Sequence, residues 1–291
     1  MQEERRRKYG ADFLSIGFAI YEVSPRQNTR LTAEQLSCRK PLTTTQYIAR
    51  REVTLEDRLF PGTFILIPTT YDPGQEGKFI VRIFSPVKMK QLELDDTNTY
   101  QGFSKETIEA LERTILIELQ TAEYKFGQVC NPETQTIDAA KLGYILNHSD
   151  LKDDIHHFIG FNDSLCRSLL PSVSTNLTGQ IDLEEFLLLW AEIKTWKYIF
   201  QKYEHERKGI VRAYSFREML NSTGYHVSNR VYHVLSHRYI DSKNSCIHFE
   251  DFLYCLANMK SAYDNITVHP TNSKGQLIFT PEDFLRLSLS T

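Results

Sequence analysis

The chain has no apolar run approaching the roughly 18 residues that cross a bilayer. Its first ten residues, MQEERRRKYG, carry charge with no apolar stretch behind them. Neither a membrane span nor a secretory leader is expected. Cysteine is sparse and scattered as Cys38, Cys130, Cys166, Cys246 and Cys255, with no CxxC pair. An odd, dispersed set argues against a disulfide framework and for reduced thiols in the cytosol. A dominant charge sign is also lacking: 34 basic residues against 37 acidic ones leave a formal net charge of -3. No overall field draws such a chain to nucleic acid, which is not expected as a partner. What remains is a globular composition, 41% hydrophobic and 24% charged over 291 residues, enough for two domains.

The residues up to about 85 have β texture. IGFAIYEV, TTQYIAR, GTFILIPTTY and GKFIVRIF are short runs rich in β-branched and aromatic residues, set apart by Ser24-Pro25, Phe60-Pro61-Gly62 and Asp72-Pro73-Gly74. In KFIVRIF one face (Phe79, Val81, Ile83) is wholly apolar and the other mixed, which predicts a strand packed on a sandwich core. Residues 87–103, including KMKQLELDDTNTYQG, keep no period and read as a linker. From Ser104 the period turns helical. Ser104 followed by Glu106 is an N-cap signature, and Ile108, Leu111, Ile115 and Leu119 make one stripe.

Within the helical part a unit repeats: a turn, an isolated Ile, Val or Leu, a few polar residues, then a new apolar helix. The clearest copy is SVSTNLTGQIDLEEFLLLW. Placing Gly179 at the sharp-turn sixth position of a 12-residue EF-hand-type loop puts Ser174, Asn176, Thr178, the Gln180 carbonyl, Asp182 and Glu185 at the ligand positions. Ile181 then falls at position eight, where such loops join in pairs. Ser174 replaces the aspartate expected at position one, so only Asp182 and Glu185 carry charge, and the loop should bind calcium weakly if at all. A purely structural loop is the alternative.

The next copy, YEHERKGIVRAYSFREML, keeps Gly209 at position six and Val211 at position eight. Glu204 and Glu206 hold positions one and three, but Lys208 and Arg212 place cations at five and nine, and Ser215 replaces the acid at twelve. No calcium is expected there. A frame on Ile137 puts Lys141 at position twelve, with Cys130, Pro132 and Thr134 at the early positions. A frame on Ile247 puts Ser245 in place of the glycine and Asp251 last. Near the end, HPTNSKGQLIFTPEDF has Gly275 without an early carboxylate. Five units leave one loop without a partner. Leu277, Ile278, Phe279, Phe284, Leu285 and Leu287 make that last segment apolar enough to pair with the same segment of another chain, or to dock on its own domain.

These residues together resemble the calpain large-subunit family. IGFAIYEV and REVTLEDRLFPGTFILIPTTYDPGQEGKFIVRIFSP are similar to the second half of the calpain β-sandwich domain. The helical part, with WAEIKTWKYIFQKYE and YHVSNRVYHVLSHRYIDSKNSCIHFEDFLYCL, is similar to the calpain penta-EF-hand domain. The resemblance implies an α+β multidomain chain: residues 1–86 a partial, C2-like antiparallel β-sandwich, 87–103 a linker, and 104–291 an all-α penta-EF-hand domain with degenerate loops. It also implies a calcium-regulated, cytoplasmic cysteine protease as the parent, and dimerisation with another penta-EF-hand chain, homo- or heterodimeric, through the fifth unit.

Catalysis is not expected of this chain. A protease core of that kind needs a cysteine in a glycine-rich segment, a histidine base and an orienting asparagine, and none of the five cysteines has that setting. All five read as idle structural thiols. The pairs His156-His157 and His233/His237 lack a third ligand and read as packing or surface residues. The start at MQEERRRK resembles the middle of the sandwich, which suggests a fragment or short isoform with open sheet edges. The Arg5, Arg6, Arg7, Lys8 cluster leaves peripheral contact with acidic lipid open beside the simpler reading of a solvated strand end. The expected function is a non-catalytic regulatory and dimerisation region that also contacts the protease core of its parent chain. The alternatives are a portion of an active endopeptidase whose core lies upstream, and a working calcium sensor. Beyond weak calcium at 174–185, no cofactor is expected.

Overall fold

The computed structural model describes residues 1–3, 10–25, 30, 31, 33–75, 77–95, 97–174, 178–204, 208–241, 243–272, 277–283 and 285. The chain divides into two compact units, residues 1–96 and 97–291. The Arg5 to Lys8 cluster lies outside the described residues.

In the first unit, two eight-residue runs of β-branched and aromatic side chains become β1 (Ile16–Val23) and β3 (Thr63–Thr70). They pair antiparallel from Ile16 opposite Thr70 to Val23 opposite Thr63. A short helix α1 (Ala33–Ser37) precedes β2 (Thr43–Thr44), which lies on the other edge of β1, so the sheet order is β2-β1-β3. Gln2 ties the start of the chain to this unit. Its amide donates to the carbonyls of Leu14 and Arg50 and accepts from the Leu14 amide.

The strand expected over Phe79–Phe84 is not formed. Phe79 bridges Gln2, Ile80 donates to the Met1 carbonyl and Glu3 to the Lys78 carbonyl, and among the described residues this stays an isolated bridge. Phe79, Ile80, Val81 and Phe84 are exposed, because the described residues of this unit form one sheet layer and supply no facing layer to cover the alternation. Among them Val23 is the one buried hydrophobic side chain.

The second unit is helical with short antiparallel ribbons. The segment expected as linker enters it: β4 (Thr99–Tyr100) pairs with β8 (Tyr225–His226), and the Tyr100 and Tyr225 rings lie 4.6 Å apart. Ser104 caps α2 (Lys105–Val129) by accepting from the Thr107 amide, as its position before the helical stripe predicts. There follow β5 (Ile137–Asp138), α3 (Ala139–Asn147), α4 (Asp163–Leu169), β6 (Gln180–Ile181) and α5 (Leu183–Tyr203). The chain continues through β7 (Ile210–Arg212), α6 (Phe216–Ser222), β8, α7 (Asn229–Tyr239), β9 (Cys246–His248) and α8 (Phe249–Val268).

The core of this unit is aromatic. Phe186, Trp190, Trp196 and Phe200 of α5 are almost wholly buried, with Phe216, Phe249 and Phe252. Phe200 lies 5.1 Å from Phe249 and 5.7 Å from Phe252, ring centre to ring centre. Each such side chain contributes on the order of 1.5–3 kcal/mol by leaving water. Since α5 follows one ribbon and precedes the next, its buried residues recur around the helix rather than along one stripe.

Candidate functional site

The loop frames read from the sequence predict which residues meet. Ile137 pairs with Ile181 in the β5–β6 ribbon, and Val211 pairs with Ile247 in the β7–β9 ribbon. Each of these four was placed at position eight, and each is buried. The residues placed at position six all have left-handed backbone: Gln135 (φ 54), Gly179 (φ 72), Gly209 (φ 69) and Ser245 (φ 51). The same sharp turn therefore survives where glycine does not, although it costs a non-glycine residue about 1–2 kcal/mol. Two pairs of EF-hand-type loops are the result.

In the 174–185 loop, Asn176 lies outside the described residues. The Ser174 and Thr178 hydroxyls both donate to the Gln180 carbonyl at 3.5 Å, which gathers positions one, five and seven around one point. The Gln180 side chain turns away and accepts from the Thr136 hydroxyl at 2.7 Å. Asp182 and Glu185 form a reciprocal capping box on α5, with Asp182 accepting from the Glu185 amide at 3.0 Å and Glu185 from the Asp182 amide at 3.2 Å. The donors are all oxygen, which suits a hard cation. Both carboxylates are engaged at the helix N-terminus, where amide dipoles already stabilise negative charge.

The other loops are closed by their own hydrogen bonds. In the first, Asn131 accepts from the Glu133 amide and Lys141 occupies the terminal acid position, its amide donating to Asp138. In the third, Glu204 accepts from the Gly209 amide, and Glu206 lies outside the described residues. In the fourth, Asp241 accepts from the Lys243 amide and the Asn244 side chain, both at 2.8 Å. The fifth segment differs in kind. Among the described residues Leu277 bridges Thr271 of its own turn and no other loop, and Ile278 and Leu285 are exposed. Gly275, Phe284 and Leu287 lie outside the described residues.

The buried thiols do not have the environment of a nucleophile. Burial pushes Cys166 up to about 12 and raises Cys255 further in the same direction, whereas a reactive cysteine needs its thiolate stabilised. Cys38 is exposed beside Ser37, and Cys130 faces the Gly127 carbonyl and the Gln135 side chain.

His233 and His237 stack edge to face 4.4 Å apart, and His156 and His157 lie 5.8 Å apart. Among the described residues, the one group of three side chains with metal-ligating atoms close together is Asp241, Cys246 and His248, whose donor atoms lie within 4.8 Å of one another. The sequence reading did not single out this trio. The signal was available as Cys-x-His within a short β run, since residues two apart share a face.

No helix among the described residues is long and apolar enough to cross a membrane. Residues 1–84 match the family model for calpain large subunit, domain III. The chain is 46% identical over 99% of its length to a calpain of Schistosoma mansoni, 30% to Calpain-B of Drosophila melanogaster and 28% to the Calpain-1 catalytic subunit of Gallus gallus. It spans 38%, 32% and 41% of those relatives. Among solved structures it is similar to a homolog of programmed cell death 6 protein from Leishmania major Friedlin, with 21% identity, a TM-score of 0.38, and coverage of 54% of this chain and 82% of that one.

Proposed function

We propose that this chain, which belongs to the calpain large-subunit family, is a non-catalytic regulatory and dimerisation region: part of a β-sandwich followed by a penta-EF-hand domain. The observation that carries the reading is the loop pairing, Ile137 with Ile181 and Val211 with Ile247, around left-handed turns that persist at Gln135 and Ser245. Here the EF-hand geometry is held by buried apolar residues and internal hydrogen bonds instead of by a cation. The region acts as a joint in a cytoplasmic cysteine endopeptidase, contacting the protease core of the parent chain and a second penta-EF-hand chain. The buried, upshifted thiols support a role without nucleophilic chemistry in this part of the chain.

Calcium, in this reading, is confined to weak occupancy of the 174–185 loop by Ser174, Thr178, the Gln180 carbonyl, Asp182 and Glu185, with Asn176 the remaining donor by position. To bind, Glu185 must leave the Asp182 amide, so occupancy competes with the capping box. Isothermal titration is expected to show no heat at micromolar calcium and weak heat at millimolar calcium that Glu185→Ala removes. Micromolar binding lost in that variant would make the domain a sensor. The fifth loop supports pairing, because among the described residues Leu277 bridges its own turn and no other loop. Sedimentation of the full chain should show concentration-dependent dimers, and a monomer at high concentration removes the pairing.

A further inference from the structure

The fourth loop gathers a donor set that calcium does not use. Cys246 and His248 are the first and last residues of β9 and share one face, while Ile247 between them faces the core and pairs with Val211. Asp241 is brought opposite Cys246 by a tight turn. Its amide donates to the Cys246 carbonyl and the Ser245 amide donates to the Asp241 carbonyl, both at 2.8 Å, around the left-handed Ser245. The carboxylate, thiol and imidazole donor atoms then lie within 4.8 Å of one another. Bonds from the Lys243 amide and the Asn244 side chain leave each Asp241 oxygen a lone pair and hold the group in place, the role outer partners take in metal sites.

We infer that Asp241, Cys246 and His248 form a binding site for a divalent transition-metal ion of the zinc class. Sulfur and imidazole donors select a borderline-soft ion over calcium, and three protein donors leave a fourth position of a tetrahedron. Asp251, three residues beyond His248 in the first turn of α8, lines the same cleft as His248.

Arg212 is the competing positive group, since it is paired with Cys246 across the ribbon. Its side chain is exposed and can turn to solvent. A cleft lined by His156, His157, Gly209, His248 and Asp251 opens beside His248 and offers a path for the ion. On binding, the Cys246 thiol loses its proton to solvent and the thiolate bonds to the metal.

The test uses the full chain, reduced and stripped with a chelator, then titrated with Co2+ and, separately, Zn2+. The expected result is one ion per chain, a thiolate-to-cobalt charge-transfer band in the near ultraviolet, and displacement of cobalt by zinc. Cys246→Ser should abolish the band, and His248→Gln should weaken affinity by about a hundredfold, the upper end of what even an outer partner costs. His248 is half-exposed, so this second variant leaves the core untouched. No band in the parent chain overturns the assignment. So does a band that persists in Cys246→Ser or disappears only when Cys38 and Cys130 are replaced.

Discussion

Gly179 and Gly209 hold the same place in two loops with nearly the same backbone, φ 72 and 69, yet they stand in opposite surroundings. Among the described residues a Cβ on Gly179 would meet nothing within 4 Å, whereas one on Gly209 would lie 1.7 Å from the His156 carbonyl oxygen. The Gly179 loop keeps acids at positions nine and twelve. The Gly209 loop has Arg212 and Ser215 there. A glycine can thus outlast the ligands around it when it has acquired a packing duty, and the glycine alone says little about calcium.

The largest expected effect follows from that difference. Gly179→Ala should cost about 1–2 kcal/mol, the strain of a left-handed alanine. Gly209→Ala adds a backbone clash to the same strain, for a total of about 4 kcal/mol. Urea unfolding of both variants measures it. Equal losses would show that the His156 carbonyl can retreat and that the segment before α4 is not pinned on the third loop.

The next effect concerns how α5 and α8 are joined. Lys260 donates to Glu192, which is 9% exposed. Burial raises the Glu192 carboxyl above its usual value, outweighing the lowering by Lys260, with Asp264 adding to the rise. A raised folded pKa means that the folded state binds the proton more readily. The destabilisation from Glu192 is therefore absent at low pH and grows as pH rises through the window from about 4.5 upward. Lys260→Met removes the compensating cation and should cost about 3 kcal/mol at neutral pH, with a steeper loss of stability as pH rises. A cost independent of pH would mean that the change comes from packing instead of charge.

Much of this arrangement was legible in the chain. The isolated apolar residue after each turn located Ile137, Ile181, Val211 and Ile247, and the ribbons pair them as the frames require. The Ser104 cap was equally local. Readings that depended on distant partners were harder. The alternation at Phe79–Phe84 says which face could be buried but not whether a layer exists to bury it, and the described residues provide none. Glu185 looked like a metal ligand by position and serves as a helix cap in the structure, because one carboxylate suits both amides and cations. Asp241 and Cys246 were missed as neighbours because the frame on Ile247 puts Asp241 at position two and Cys246 at position seven, where an EF-hand loop uses no side chain.

The serine between Asp241 and Cys246 provides the smallest test, a substitution in the opposite sense to Gly179→Ala. Ser245 sits at φ 51 and uses its amide, not its side chain, to hold Asp241. Ser245→Gly relieves about 1–2 kcal/mol of left-handed strain and gives back about 0.4–1 kcal/mol through a more flexible unfolded chain. A net gain of about 0.5 kcal/mol is expected, read as a small rise in urea midpoint with unchanged slope. Opposite signs for the two position-six exchanges would show that backbone conformation governs these turns whatever the ligands are. A loss of stability in Ser245→Gly would mean that the Ser245 side chain supports the Asp241 turn, and the donor cluster beside it, through more than its amide.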